Sequence, residues 1–296
     1  MAVLRQATLP LRPRSRTSAS KENFMHQPRL HPFRQLRQIV AASVLAVLST
    51  SPTLAQDTPL RVGVTAGPHA QIGEVVQQVA EKQGLKIKLI EFSDFIQPNA
   101  ALDAGDIDLN TYQHRPFLQA QNSMRGYKLA PVGDGVVQQM GVYSKHHKSL
   151  ADLPAGARIA IPNDPTNGAR ALLVLQAADL IKLKPGVTVT ASPFDIVENP
   201  KKLKFIEIEA AQLPHSLVDV DAAAVNSAYA VQAGLSPSKD SLTLESEDAD
   251  FAVVVIAARE DNKDDPRIAG FVKAYRSDEV KQFVEKTFPG AYTTTW

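Results

Sequence analysis

The sequence contains no cysteine, which excludes disulfide bonds, a thiolate nucleophile and a thiolate metal site. The apolar run at residues 39–48 is too short for a membrane span, which requires about 20 residues. The G-x-S-x-G, P-loop, G-x-G-x-x-G and H-E-x-x-H motifs are also missing. No familiar hydrolase, nucleotide-binding or zinc-protease signature remains, although a catalytic triad built from distant residues stays open.

Acidic residues outnumber basic residues beyond the first 55 positions. Of the 32 basic and 31 acidic residues, eight basic and one acidic precede Gln56, so the remainder holds 24 basic and 30 acidic residues. A mildly acidic chain of this kind offers no electrostatic case for binding nucleic acid.

The first 55 residues have the composition of a secretory signal peptide. A basic region precedes the apolar run, and small residues lead up to Ala55, so we expect cleavage after Ala55. Met25 is an alternative start that would give a signal of ordinary length, and a disordered tail with a chance apolar patch is the structural alternative. Because a cleaved chain without cysteine has no acceptor for a lipid, we expect a soluble protein in the periplasm.

From Leu60 onward, strand and helix patterns alternate. Strand, helix, strand, helix and strand follow one another as far as Asn110, an order typical of an open, mostly parallel α/β sheet. A second α/β unit follows without a flexible linker. We therefore expect two lobes joined by crossing segments near residues 138–143 and 245–253.

The C-terminal segment 265–288 has helical spacing and is expected to return to the first lobe. The resulting domain prediction is a signal peptide at 1–55, a first lobe at 56–140 and 250–296, and a second lobe at 141–249.

A turn rich in proline and asparagine marks a candidate anion site. The apolar strand Arg158–Ile161 enters this turn, and a helix is expected over Ala169–Leu180 with Arg170 in its first turn. A helix start offers free N–H groups and the positive end of its dipole, and an arginine fork matches a carboxylate. The alternative is an ordinary strand-to-helix turn with a solvated arginine.

Other polar residues follow predicted strands in both units. They are His69, Tyr112–His114, Asn163–Arg170 and Asn226. Since ligands of α/β proteins bind at the carboxyl ends of strands, a site between the two lobes accounts for this distribution.

Seven segments, in order, make the chain recognisable. They are residues 62–70, 91–99, 112–118, 161–167, 195–200, 209–214 and 259–263. With these segments the chain resembles the NlpA/MetQ family of substrate-binding proteins, which serve methionine ABC importers. The resemblance implies a two-lobed α/β architecture, the type II periplasmic-binding-protein fold, with the ligand in the cleft between the lobes.

The resemblance also implies the site. An aromatic cage closes on the thioether, an arginine binds the carboxylate and an asparagine binds the polar end of the ligand. The expected ligand-binding residues are Phe95, Tyr112, His114, Phe117, Asn167, Arg170 and Asn226. The expected ligand is D- or L-methionine, a derivative or a short peptide. We expect a monomer that delivers its solute to an ABC permease at the inner membrane, with no enzyme activity, cofactor or metal.

The chain departs from the family pattern in two places besides the missing cysteine. Phe95 and Phe117 stand where tyrosine is common, and residues 248–254 replace a Ser-Pro-Tyr-x-Asn stretch. Asp248 or Asp250 could then supply a partner for an ammonium group. A secreted α/β enzyme, or an interaction protein that kept the fold and lost its ligand, are the alternative functions.

Overall fold

The computed structural model describes residues 58–249 and 251–296, which belong to one compact unit. The predicted signal peptide, its alternative start at Met25 and Asp250 lie outside these residues. The strands are β1 Leu60–Thr65, β2 Ile87–Phe92, β3 Leu109–His114, β4 Leu129–Gln138, β5 Met140–Tyr143, β6 Arg158–Pro162, β7 Lys182–Leu183, β8 Ile196–Glu198, β9 Lys204–Ile208, β10 Ala222–Asn226, β11 Ser241–Leu244, β12 Val253–Arg259 and β13 Tyr292–Thr294. The α-helices are α1 Pro68–Lys82, α2 Gln97–Asp103, α3 Arg115–Arg125, α4 Pro165–Ala177, α5 Leu213–Ser216, α6 Ser227–Gln232, α7 Pro237–Asp240, α8 Pro266–Tyr275 and α9 Asp278–Thr287.

Two main sheets organise the described chain. The first has six strands in the order β13-β4-β12-β3-β1-β2, and the second has five in the order β11-β5-β10-β6-β9. The α/β architecture with two sheets is as expected, but the expectation of mostly parallel sheets is wrong. Strand β12 runs antiparallel to both β3 and β4, and β5 runs antiparallel to both β10 and β11. Strands β5 and β12 each follow a crossing, so each enters its sheet from the other one and runs against its neighbours.

The first sheet is covered by helices α1, α8 and α9. Helix α1 places Ile72, Val76 and Val79 at helical spacing in the same apolar core as Phe271 of α8 and Val284 of α9. The C-terminal segment therefore returns to the first sheet, where it forms two helices. Ser277 separates α8 from α9. Its hydroxyl accepts from the Val280 amide and so caps the start of α9.

The chain crosses between the sheets at two places. The first crossing lies at Gln139, between β4 and β5, and the second runs from Glu245 to Ala252, between β11 and β12. Gln139 Nε2 donates to the Glu245 carbonyl, so the two crossings touch. The lobe limits derived from the sequence stay a prediction, since residues 56, 57 and 250 lie outside the described chain.

One apolar cluster contains residues from both sheets. Phe95, Tyr112 and Phe117, from the first-sheet side, share it with Val225 and Tyr229 of the second. Such a cluster marks the place where a cleft between two lobes is buried. In the part of the chain that is described, no helix is both long and apolar enough to cross a membrane.

Candidate ligand-binding site

A small cavity lies where the two sheets meet. Its volume is about 10 Å³, roughly the room that one ordered water needs, so the side chains around it are packed closely together. Its lining consists of Phe95, Tyr112, Gln113, His114, Phe117, Gln138, Asn167 and Asn226. Six of the seven residues predicted to bind ligand are in this lining, and Arg170 is not. Gln138 was not predicted from the sequence, and Gln113 was not singled out within Tyr112–His114.

Three rings form the aromatic half of the cavity, which we define as Phe95, Tyr112 and Phe117. Their centroids are 5.8–6.5 Å apart, with tilted or edge-to-face geometry. The Tyr112 hydroxyl donates to the Phe95 carbonyl at 3.0 Å and fixes the loop before α2 against strand β3. Tyr229 of α6 supports Phe95 from behind, with ring centroids 4.6 Å apart. The aromatic half is therefore a packed set of rings whose hydroxyl is already bonded.

His114 stands between the aromatic half and the polar residues. As the cap of α3, its Nδ1 accepts from the Phe117 amide at 3.1 Å, so the ring proton lies on Nε2. Nε2 then donates to Asn167 Oδ1 at 3.2 Å. Burial lowers the pKa of His114 to about 3, the charge of Arg170 acts in the same direction, and the hydrogen bond to Asn167 opposes both. The imidazole is neutral at physiological pH, with both nitrogens engaged.

Helix α4 begins earlier than expected, and this changes what Arg170 can do. Asp164 caps the helix by accepting from the Asn167 amide at 2.9 Å, and Pro165 takes the first helical position. The expected start at Ala169 is wrong because the Asp-Pro pair already satisfies the requirements of a helix start. Arg170 therefore lies in the second turn, away from the free N–H groups of the helix end.

Asn167 organises its neighbours and has little bonding capacity left. Its Nδ2 donates to both carboxylate oxygens of Asp164, at 3.1 and 3.0 Å. Its Oδ1 accepts from His114 and from Asn226 Nδ2, the latter at 2.9 Å. Asn226 is thereby oriented with its Oδ1 buried and without a hydrogen-bond partner among the described residues.

Arg170 is fully buried and forms an ion pair, so the alternative of a solvated arginine is wrong. Its Nε donates to both oxygens of Glu245, at 2.9 and 3.0 Å, and Nη2 donates to Glu245 and to the Gln138 carbonyl. Nη1 is buried and finds no acceptor in the described chain. We call His114, Asn167, Arg170 and Asn226 the polar half of the site.

Gln138 connects this arrangement to the first lobe. Its Oε1 accepts from the Tyr292 hydroxyl at 2.9 Å and lies 2.8 Å from His69 Nε2. Burial lowers the pKa of His69 to about 4, so this ring is also neutral at physiological pH. His69, a candidate polar residue in the sequence, thus holds the first crossing and is not part of the cavity lining.

Of the two aspartates considered as ammonium partners, Asp248 does not line the cavity. Asp248 is exposed, and it lines a separate surface pocket with Arg115 and Asp134. Asp250 lies outside the described residues. Residues 58–249 and 251–296 hold no group of three histidine or acidic side chains that is placed to bind a metal ion.

Comparison with known proteins gives concordant matches. The sequence model of a family described as NlpA lipoprotein matches residues 60–296. The D-methionine-binding lipoprotein MetQ of Yersinia pestis is 46% identical over 268 residues, which cover 89% of this chain and 98% of the relative.

Solved structures agree with these sequence matches. A nutrient-binding protein from Burkholderia cenocepacia, bound to methionine, is 50% identical, with a TM-score of 0.78 over 80% of this chain and 100% of its own. A structure of the methionine-binding protein MetQ is 47% identical, with a TM-score of 0.78 over 80% of this chain and 98% of its own. The expected two-lobed periplasmic-binding-protein fold is confirmed by these structures.

The predicted location is wrong. A soluble periplasmic protein was expected, whereas the matching family and the Yersinia relative are both described as lipoproteins, which are held at a membrane by attached lipid. The expectation was based on the absence of cysteine and on residues 1–55, which lie outside the described chain. A missing acceptor residue was not sufficient evidence for free diffusion in the periplasm.

Proposed function

The chain belongs to the NlpA lipoprotein family, and from this premise we propose that it binds methionine, or a close amino-acid relative, for an ABC importer. The relatives that this chain matches over nearly their whole length are named for, or described with, bound methionine. The ligand range that we propose includes D- and L-methionine, their derivatives and short methionine peptides. The protein delivers this solute as a monomer to a permease in the inner membrane.

The observation that carries the proposal is a pair of buried polar atoms left without partners. Arg170 Nη1 is a donor and Asn226 Oδ1 is an acceptor, and neither has a hydrogen-bond partner among the described residues. A buried polar group without a partner costs about 1–3 kcal/mol. An α-amino acid carries the two complementary groups, since its carboxylate accepts from the guanidinium and its ammonium donates to the amide oxygen. One zwitterion therefore carries a complementary group for each of the two unpaired atoms.

The aromatic half supports a thioether side chain on that zwitterion. Phe95, Tyr112 and Phe117 offer ring surface to the cavity, and the Tyr112 hydroxyl is already bonded to the Phe95 carbonyl. Contacts between sulfur and aromatic rings contribute roughly 0.3–1.5 kcal/mol each. An unbranched, polarisable side chain therefore fits this half better than a charged one.

The polar half supports binding without turnover. Both nitrogens of His114 are engaged, by the Phe117 amide and by Asn167. A general base requires a free ring nitrogen within reach of a nucleophile. The arrangement is that of a rigid recognition site, which agrees with relatives that are named as binding proteins.

Calorimetric titration tests the proposal. The protein is unfolded, dialysed to remove any solute that co-purifies, refolded and titrated with L-methionine, D-methionine, glycyl-methionine, norleucine and lysine. We expect saturable binding of at least one methionine compound, weaker binding of norleucine because it lacks sulfur, and none of lysine. Failure of every methionine compound to bind refolded protein with native thermal unfolding would overturn the proposal.

A further inference from the structure

The charge of Arg170 is already neutralised before any ligand is considered. Glu245 receives hydrogen bonds from Nε and Nη2 of Arg170, and its side chain is 7% exposed while that of Arg170 is 0% exposed. A guanidinium has five N–H donors, and this carboxylate occupies one edge of the fork. Nη1 is left for another acceptor, so a ligand carboxylate can bind without displacing Glu245.

Glu245 is also fixed in place by the first crossing. Its carboxylate accepts from the Met140 amide at 3.1 Å, its own amide donates to the Met140 carbonyl, and its carbonyl accepts from Gln139 Nε2. Hydrogen bonds at this many points favour Glu245 staying beside Arg170 when a ligand enters. Arg170 and Glu245 therefore act as a neutral pair throughout binding.

We propose that Glu245 sets the charge selectivity of the site, which accepts a net-neutral zwitterion and rejects a carboxylate that lacks an ammonium group. A lone ligand carboxylate would bring two buried negative charges to one guanidinium, and a buried charge without compensation is strongly unfavourable. The ammonium of an amino acid restores neutrality and donates to Asn226 Oδ1. The inference rests on the proposed function and adds a specificity-determining residue to it.

The first test compares two ligands on two proteins. L-Methionine and 4-(methylthio)butanoate share the thioether and the carboxylate, and only methionine has the ammonium group. In the wild type we expect the acid to bind roughly 10- to 150-fold more weakly than methionine. In Glu245→Gln, which keeps an acceptor for Arg170 and removes the charge, we expect this ratio of dissociation constants to fall by about tenfold or more.

A matched control is Glu247→Gln, which removes the same charge from an exposed position in the second crossing. We expect it to leave the ratio unchanged. A ratio in Glu245→Gln equal to that of the wild type, or no binding of the acid to either protein, would overturn the inference. If the wild type fails to bind methionine at all, the proposed function fails instead, so the two failures are distinguishable.

The second test needs no variant and decides the matter if Glu245→Gln does not fold. Titration in two buffers of different ionisation enthalpy measures the protons that the wild type takes up on binding. We expect uptake of about one proton with 4-(methylthio)butanoate at pH 5.5–6.5, which keeps the bound complex neutral, and none with methionine. Binding of the acid without proton uptake would show that the site tolerates a net anion.

Discussion

The two halves of the site differ in how many of their polar atoms already have hydrogen-bond partners in the protein. In the aromatic half, the three rings pack on one another and the Tyr112 hydroxyl already donates to the Phe95 carbonyl. In the polar half, Arg170 Nη1 and Asn226 Oδ1 are buried without partners in the described chain. The aromatic half is thus formed in advance, whereas the polar half is completed only by a ligand that supplies both missing groups.

The halves also come from different parts of the fold. The rings lie in or beside β2, β3 and α3, on the side of the first sheet. Three of the four polar residues lie on the side of the second sheet, on α4 or at the end of β10. His114 belongs to the first sheet and bonds to Asn167 of the second. A ligand that contacts both halves therefore binds the two lobes together, which favours the closed arrangement.

Removing the guanidinium should have the largest effect. We expect Arg170→Met to weaken methionine binding by roughly 30- to 5,000-fold, because a buried charged partner is lost. We also expect about 3–5 kcal/mol lower free energy of unfolding, because Glu245 is left buried and unpaired. Calorimetry and urea unfolding measure the two effects.

The double variant Arg170→Met with Glu245→Leu separates the effect on binding from the effect on stability. It should recover the free energy of unfolding, because no unpaired charge stays buried, but it should still not bind methionine. Arg158→Met, at an exposed position, is the matched control. Near-normal binding by Arg170→Met would mean that the polar half does not hold the carboxylate.

Truncating the unpaired acceptor should have the next largest effect. We expect Asn226→Ala to weaken methionine binding by roughly 10- to 150-fold, because a hydrogen bond to a charged ammonium contributes about 1.5–3 kcal/mol. Binding of 4-(methylthio)butanoate, which has no ammonium, should change much less. Asn163→Ala, exposed in the turn after β6, is the control. Equal losses for both ligands would place the ammonium elsewhere.

Acid should destabilise the contact between the halves through His114. Its pKa is about 3 in the folded protein, against about 6.5 in an unfolded chain, so the unfolded state binds more protons as the pH falls below 6.5. The stabilisation is complete above pH 6.5 and is lost towards pH 3. Between pH 7 and pH 5 we expect His114 to account for about 2 kcal/mol of the loss in unfolding free energy.

His114→Asn keeps an acceptor for the α3 cap and does not titrate, so its unfolding free energy should fall less over the same interval. Exposed His215→Asn is the control. Denaturant titrations at pH 5, 6 and 7 give the comparison. Identical pH dependence for wild type and His114→Asn would contradict a neutral, buried ring.

The sequence predicted which residues lie together at the cavity better than it predicted the hydrogen bonds among them. Residues at strand ends and in the family segments, such as Tyr112 and Asn226, could be placed near one another because the ends of strands meet at one edge of a sheet. Their contact with ligand remains a prediction. Glu245 could not be identified, because it follows an ordinary short strand and meets Arg170, 75 residues away, only when the crossings touch.

The same limit explains the errors in the fold. Strand directions depend on which sheet the chain has just left, and local periodicity does not contain that information. The apolar run after Ala169 indicated a start for α4 that is too late. The Asp164-Pro165 pair is a strong local start signal and marks the observed start. Local chemistry was therefore sufficient for the helix start, whereas tertiary contact was required for Arg170 and Glu245.

The smallest effect is expected in the aromatic half, and it sharpens the comparison. Tyr112→Phe removes only the hydrogen bond to the Phe95 carbonyl, so we expect about 0.5–1.5 kcal/mol lower unfolding free energy. Methionine affinity should change by less than about threefold, because the ring surface stays. Tyr127→Phe, at a half-buried position away from the cavity lining, is the matched control. If Tyr112→Phe lost as much affinity as Asn226→Ala, the hydroxyl would be a ligand contact. The aromatic half would then be completed by the ligand, as the polar half is, and the difference between them would disappear.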